Sequence, residues 1–172
     1  GDLDSDGDLD VVLAGAPGRP GFITYWRNDG GLQFARGSIG GGPNYEAPVL
    51  ADFDGDGDLD AATGTSGGIQ FWENRRGPSL VRGPHVTLQS LGYRVLAAAN
   101  LNDDRLADLI VASRPRRSGQ AVRQETVLLR GTGGWTFQLE RDALHQTTLF
   151  PNRLDLVDLD DDGDLDLVHS LD

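Results

Sequence analysis

The chain has 172 residues, a formal net charge of −12 and no cysteine. That length suits one ordinary domain burying roughly 70% of its unfolded surface, and the missing cysteine excludes a disulfide scaffold. No run approaches the ~20 apolar residues of a membrane span and no leader pattern opens the chain, so any targeting signal is expected outside it. Methionine is absent too, so Gly1 is not a translation start and the chain is expected to be processed or an excerpt.

The chain opens on Asp2-Leu3-Asp4-Ser5-Asp6-Gly7-Asp8-Leu9-Asp10, with carboxylates at every odd position of nine and Gly at the sixth. An apolar, β-rich run from Leu9 to Gly15 follows and closes at Ala16-Pro17-Gly18. Phe22 to Asn28 is aromatic and β-branched and ends at Asn28-Asp29-Gly30-Gly31, a strong turn signal. Leu32 to Arg36 reads as a third short strand, Gly40 to Asn44 as a linker, and Ala47 to Asp52 as a strand entering the next acidic loop.

That second loop is Asp52-Phe53-Asp54-Gly55-Asp56-Gly57-Asp58-Leu59-Asp60, and the plan then repeats. Leu59 to Thr65, a turn at Ser66-Gly67-Gly68, Ile69 to Asn74, a further turn and Leu80 complete the second unit. In the third, Arg94 to Asn100 leads into Asn100-Leu101-Asn102-Asp103-Asp104-Arg105-Leu106-Ala107-Asp108, followed by Ala107 to Ser113, Thr126 to Gly131 and Trp135 to Leu139. Leu154 to Asp158, the loop Asp158-Leu159-Asp160-Asp161-Asp162-Gly163-Asp164-Leu165-Asp166, and Leu165 to Ser170 make the fourth. No stretch has helical periodicity. The class is all-β.

The first loop positions lie 50, 48 and 58 residues apart, a period that marks a repeat architecture. Trp26 and Phe34, Trp72 and Leu80, and Leu129 and Phe137 are each eight apart across a Gly-containing turn, so the third and fourth strands of each unit form a hairpin of one length. Four short strands per repeat describe a propeller blade, which must stack on neighbours to bury both faces. The sequence thus predicts β-propeller blades of four antiparallel strands, about three and a half in this chain. Residues 1–44 are expected to form a first blade lacking its first strand, 45–92 a second, 93–152 a third and 153–172 the start of a fourth. Open sheet edges recruit partners, so the isolated chain is expected to self-associate or be poorly soluble. It is expected to be an excerpt of a longer propeller, or an open arc completed by other copies in an oligomeric ring or filament.

Nineteen of the 27 acids fall in the four loops, leaving eight against fourteen of the fifteen arginines. The acidity is local, as metal sites require. Charges this close repel unless a cation sits among them, and a ring of oxygens at about 2.3–2.6 Å suits Ca²⁺. Gly57 and its equivalents permit the positive φ that folds each loop back. An EF-hand needs a glutamate at position 12, where Leu13, Thr63, Val111 and His169 stand. That reading and the dockerin one both fail.

The repeated Asp loop between two strands resembles the FG-GAP repeats of integrin α-subunit propellers, and still more the bacterial VCBS-type repeats. Val49 to Asp60 and Asn28 to Phe34 carry the likeness, and Leu13 to Pro17 looks like a variant of the Phe-Gly…Gly-Ala-Pro element. The resemblance implies Ca²⁺ ligands at positions 1, 3, 5 and 9: Asp2, Asp4, Asp6 and Asp10; Asp52, Asp54, Asp56 and Asp60; Asp158, Asp160, Asp162 and Asp166. Position 7 would give its carbonyl, from Asp8, Asp58 and Asp164, whose side chains add outer charge. The third loop departs, keeping oxygens at Asn100, Asn102, Asp104 and Asp108 with Leu106 for the carbonyl. Its Arg105 replaces the glycine. It offers a weaker site, or a turn held partly by Arg105 instead of metal. The implied protein is a secreted or cell-surface calcium-binding structural or adhesive module, expected to be bacterial, and not an enzyme. The alternatives are a carbohydrate-binding propeller lectin and a subunit of an extracellular assembly.

Other signals are weaker. His85, His145 and His169 share no ligand spacing, no Gly-x-Ser-x-Gly elbow accompanies His169-Ser170, and nothing suggests nucleic-acid readout. Arg114 to Arg117, with Arg123, reads as a solvated surface loop. The register of Trp26, Trp72 and Trp135 favours packing between blades over stacking on sugars.

Overall fold

A computed structural model describes residues 1–16, 19–41, 47–76, 80–88, 93–113, 126–140 and 153–170. Thirteen strands and no helix occur among them. β1 (Val11–Ala16), β2 (Arg19–Asn28) and β3 (Phe34–Gly41) form one antiparallel sheet. β4 (Val49–Ala51), β5 (Asp60–Gly64), β6 (Gly68–Glu73) and β7 (Val81–Thr87) form a second, in sequence order. β8 (Tyr93–Ala99), β9 (Asp108–Ser113), β10 (Thr126–Gly133) and β11 (Thr136–Glu140) form a third, and β12 (Arg153–Val157) pairs with β13 (Asp166–Ser170). These are propeller blades; in the second, third and fourth sheets the Asp loop joins the first strand to the second, and the first Asp loop leads into β1.

Period-two alternation decides which neighbour each residue meets. In the second sheet, Ala61 and Trp72 turn towards the first and pack with Leu80 against Ile23, Val12 and Tyr25. Ala62, Ile69 and Phe71 turn the other way, onto Tyr93, Val95, Leu109, Val111, Val127 and Leu129 of the third sheet. Phe71 is the largest fully buried side chain there and stacks on Phe137 at 5.2 Å with 5° between ring planes. Burying such a ring stabilises by about 1.5–3 kcal/mol. Gly64 lets the sheets meet, since a Cβ on it would lie 1.9 Å from the Tyr93 carbonyl oxygen. Beside it the Tyr93 amide donates to the Thr65 carbonyl at 3.0 Å.

Three expectations shift. The third strand begins at Phe34, not Leu32, because Leu32 still lies in the turn with φ of 61°. That strand also runs through Gly41, where a linker is expected from Gly40. The three tryptophans do not share one register. Trp26 pairs with Val11 as Trp72 pairs with Ala61, whereas Trp135 sits in the hairpin turn, φ of 66°. Its ring packs against Phe71 of the preceding sheet at 5.4 Å and Phe53 of the second Asp loop at 6.4 Å. Arg114 to Arg117, Arg123 and His145 lie outside the described residues.

Candidate metal centre

One hydrogen-bond plan builds all four loops. The position-9 carboxylate accepts the position-2 amide: Leu3 to Asp10 at 2.7 Å, and Phe53 to Asp60, Leu101 to Asp108 and Leu159 to Asp166, each at 3.0 Å. Its other oxygen reaches the end of β2, the residue after β6, or β10, accepting at 2.8 Å from the amides of Asn28, Asn74 and Gly131 for Asp10, Asp60 and Asp108. Position 9 therefore staples the loop to its own blade. The position-5 carboxylate accepts the position-7 amide at 2.8–3.0 Å in every loop. Positions 4 and 6 are left-handed throughout: Ser5, Gly55, Asp103 and Asp161, then Gly7, Gly57, Arg105 and Gly163.

Position 1 binds the returning chain in three loops. Asp2 accepts from Asp6 and Gly7, Asp158 from Asp162 and Gly163, each at 3.2 and 3.0 Å. Asp52 accepts from Gly55 at 2.7 Å and Gly57 at 2.9 Å. Three groups of carboxylates converge as a result. Asp2, Asp4 and Asp6, then Asp52, Asp54 and Asp60, and Asp158, Asp160 and Asp166 each place one oxygen per residue within 4.8 Å of one another.

The clustering has an electrostatic cost. Burial, with the charges of Asp54 and Asp56 adding to it, pushes Asp60 up to about 7 despite its two amide donors. Asp54 is raised by burial and by Asp56 and Asp52, and Asp4 by burial and by Asp6 and Asp10. A cation among these oxygens would offset the repulsion. The donor set is all oxygen and anionic, with no nitrogen or sulfur, and fits a hard divalent ion such as Ca²⁺.

The third loop spends its donors differently. The Asn102 side-chain amide donates to Asp104 at 3.0 Å, so two of its candidate ligands bind each other. Position 7 also diverges. Asp58 is buried and turned to Arg76, 2.6 Å away, while Asp164 is exposed. Sequence reasoning passed over Asn74, whose side chain donates to the carbonyls of Leu59 and, in the neighbouring unit, Leu3. The recurrence of Asn28 and Asn74 at the end of each unit's Trp-bearing strand was the available signal.

Stacked sheets that each carry an aspartate-built loop define a β-propeller repeat module. Residues 2–63 match the FG-GAP-like repeat family, which supports an FG-GAP-type repeat in that stretch. No curated protein matches the sequence. A solved lectin of Agrocybe aegerita, described for specific recognition of non-reducing terminal N-acetylglucosamine, is similar in fold. The TM-score is 0.60 at 19% identity, over 97% of this chain and 44% of the lectin. The chain thus spans less than half the length of that protein.

Proposed function

We propose that the chain is a calcium-binding structural or adhesive module of a secreted or cell-surface protein. The observation that carries this reading is the convergence of three carboxylates in each of three loops of one backbone design. Asp2, Asp4 and Asp6, Asp52, Asp54 and Asp60, and Asp158, Asp160 and Asp166 would hold the ion, with Asp10, Asp56 and Asp162 close by. Bound Ca²⁺ neutralises the clustered charge and fixes the turn between each blade's first two strands. Extracellular modules of this kind bind at about 10⁻⁴–10⁻³ M, which suits the outside of a cell. The third loop is a weaker site in this reading.

Calorimetric titration of Ca²⁺ into chelator-treated protein tests it: about three ions per chain are expected, and no heat and no gain in melting temperature would overturn it.

Adhesion needs a partner. The apolar cleft of Val11, Trp26 and Phe34, about 300 Å³, is open on the first sheet. It occupies the register that Ala61, Trp72 and Leu80 fill under cover of the first sheet, so further propeller sheets or other copies are the expected occupants. Glycan binding is the second reading, favoured by the lectin's fold. Retention of N-acetylglucosamine-terminated glycans on an array would support it. Turnover of a polysaccharide would contradict the non-enzymatic role.

A further inference from the structure

Asn74 is 3% exposed, and its backbone amide and both side-chain polar atoms are used. Its backbone amide donates to Asp60 at 2.8 Å, and its side-chain oxygen accepts from the Arg76 amide at 3.1 Å. The side-chain nitrogen donates to the Leu59 carbonyl at 3.1 Å and, 71 residues away in sequence, to the Leu3 carbonyl at 2.5 Å. Leu3 is position 2 of the first loop, between Asp2 and Asp4. Its own amide is held by Asp10 at 2.7 Å. A continuous run of hydrogen bonds therefore joins the position-9 carboxylate of the second loop, through Asn74 and the Leu3 peptide, to that of the first.

We propose that Asn74 is a positioning residue that couples cation binding in the first two loops. The inference rests on the reading that both loops bind Ca²⁺. An ion on Asp52, Asp54 and Asp60 fixes the strand end that carries Asn74, and Asn74 fixes the Leu3–Asp4 peptide. Part of the ordering needed at the first loop is then already complete, and affinity rises there. By linkage the first loop raises the affinity of the second by the same factor. The next boundary lacks the device. Gly131 stands at the Asn74 register and gives its amide to Asp108 at 2.8 Å, but it has no side chain to reach back to the second loop.

Ca²⁺ titration of the whole chain, followed by the NMR amide signals of Gly7, Gly57 and Gly163, reads the first, second and fourth loops separately. With Asn74 present, Asp54→Ala should abolish the Gly57 response and raise the Gly7 midpoint about fivefold, the low end of common coupling energies. In Asn74→Ala the Gly7 midpoint should already be raised, and Asp54→Ala should move it no further. Gly163 should titrate unchanged throughout. Asn74→Gly, which copies the third unit, serves if the alanine variant does not fold. An equal response of Gly7 to Asp54→Ala with and without Asn74, or none in either, overturns the coupling while leaving calcium binding intact. Silence of all three glycines overturns both.

Discussion

The second and third loops follow nearly the same backbone with very different charge. Gly55 and Gly57 have φ of 85° and 93°, and Asp103 and Arg105 have 59° and 69°. Both loops close on a fully buried aspartate, Asp60 or Asp108, that accepts at 3.0 Å from position 2 and 2.8 Å from Asn74 or Gly131. Yet the second carries five carboxylates and the third only three, with Asn100 and Asn102 at two ligand positions. The turn thus forms without a carboxylate at position 1 or 3. The extra, mutually repelling charges of the second loop are unnecessary for its shape, which is why a cation is the economical account of them.

The largest effect should come from what the two loops share. Asp60→Ala leaves two buried amides, and Asp108→Ala one buried and one half-buried amide, without a charged acceptor, a loss of about 3 kcal/mol or more. Urea unfolding in chelator should show similar losses for both. A stable Asp108→Ala would break the comparison, because the staple would then matter only where metal is held.

Calcium should separate the loops next. A site at 100 times its Kd adds about 2.7 kcal/mol, and each kcal/mol moves the melting point of a chain this size by about 2–4 °C. Chelator should therefore lower the melting temperature by roughly 5–10 °C for each site emptied and added Ca²⁺ restore it. Asp54→Ala or Asp160→Ala should remove roughly one site's share, and Asn102→Ala much less. Equal losses would make the third loop an ordinary site.

Arg105→Gly tests the turn itself. A side chain in the left-handed region costs about 1–2 kcal/mol, of which glycine returns part through the freer unfolded chain. A net gain of roughly 0.5–1 kcal/mol is expected by thermal unfolding in chelator. A loss would show Arg105 bracing the loop in place of metal.

A further effect concerns protons. With Asp60 raised from 3.8 to about 7 by burial, the folded state binds a proton that the unfolded chain releases. Stability in chelator is then greatest below pH 3.8 and declines as pH rises to about 7. Asp108→Ala should keep that slope and Asp60→Asn should flatten it.

Most strands were legible because alternation, glycine turns and the Asp loops recur within one chain. Leu32 and Trp135 were not, since both take positive φ without the glycine that would announce it. Position 9 was legible only as a ligand. Its two amide donors lie far apart in sequence, 7 and 14 residues from Asp60, and nothing local signals the second.

The sequence by itself determined the repeat, the all-β class and the oxygen-only chemistry of the loops, because these follow from local spacing and residue type. The tertiary structure alone decided which face of each sheet meets which neighbour. It also turned Asp58 towards Arg76 and bridged two loops through Asn74. The Asp58 contact needs only the second sheet's own strand pairing, whereas the Asn74 contact forms only when the sheets stack, and stacking is driven by the burial of both faces at once.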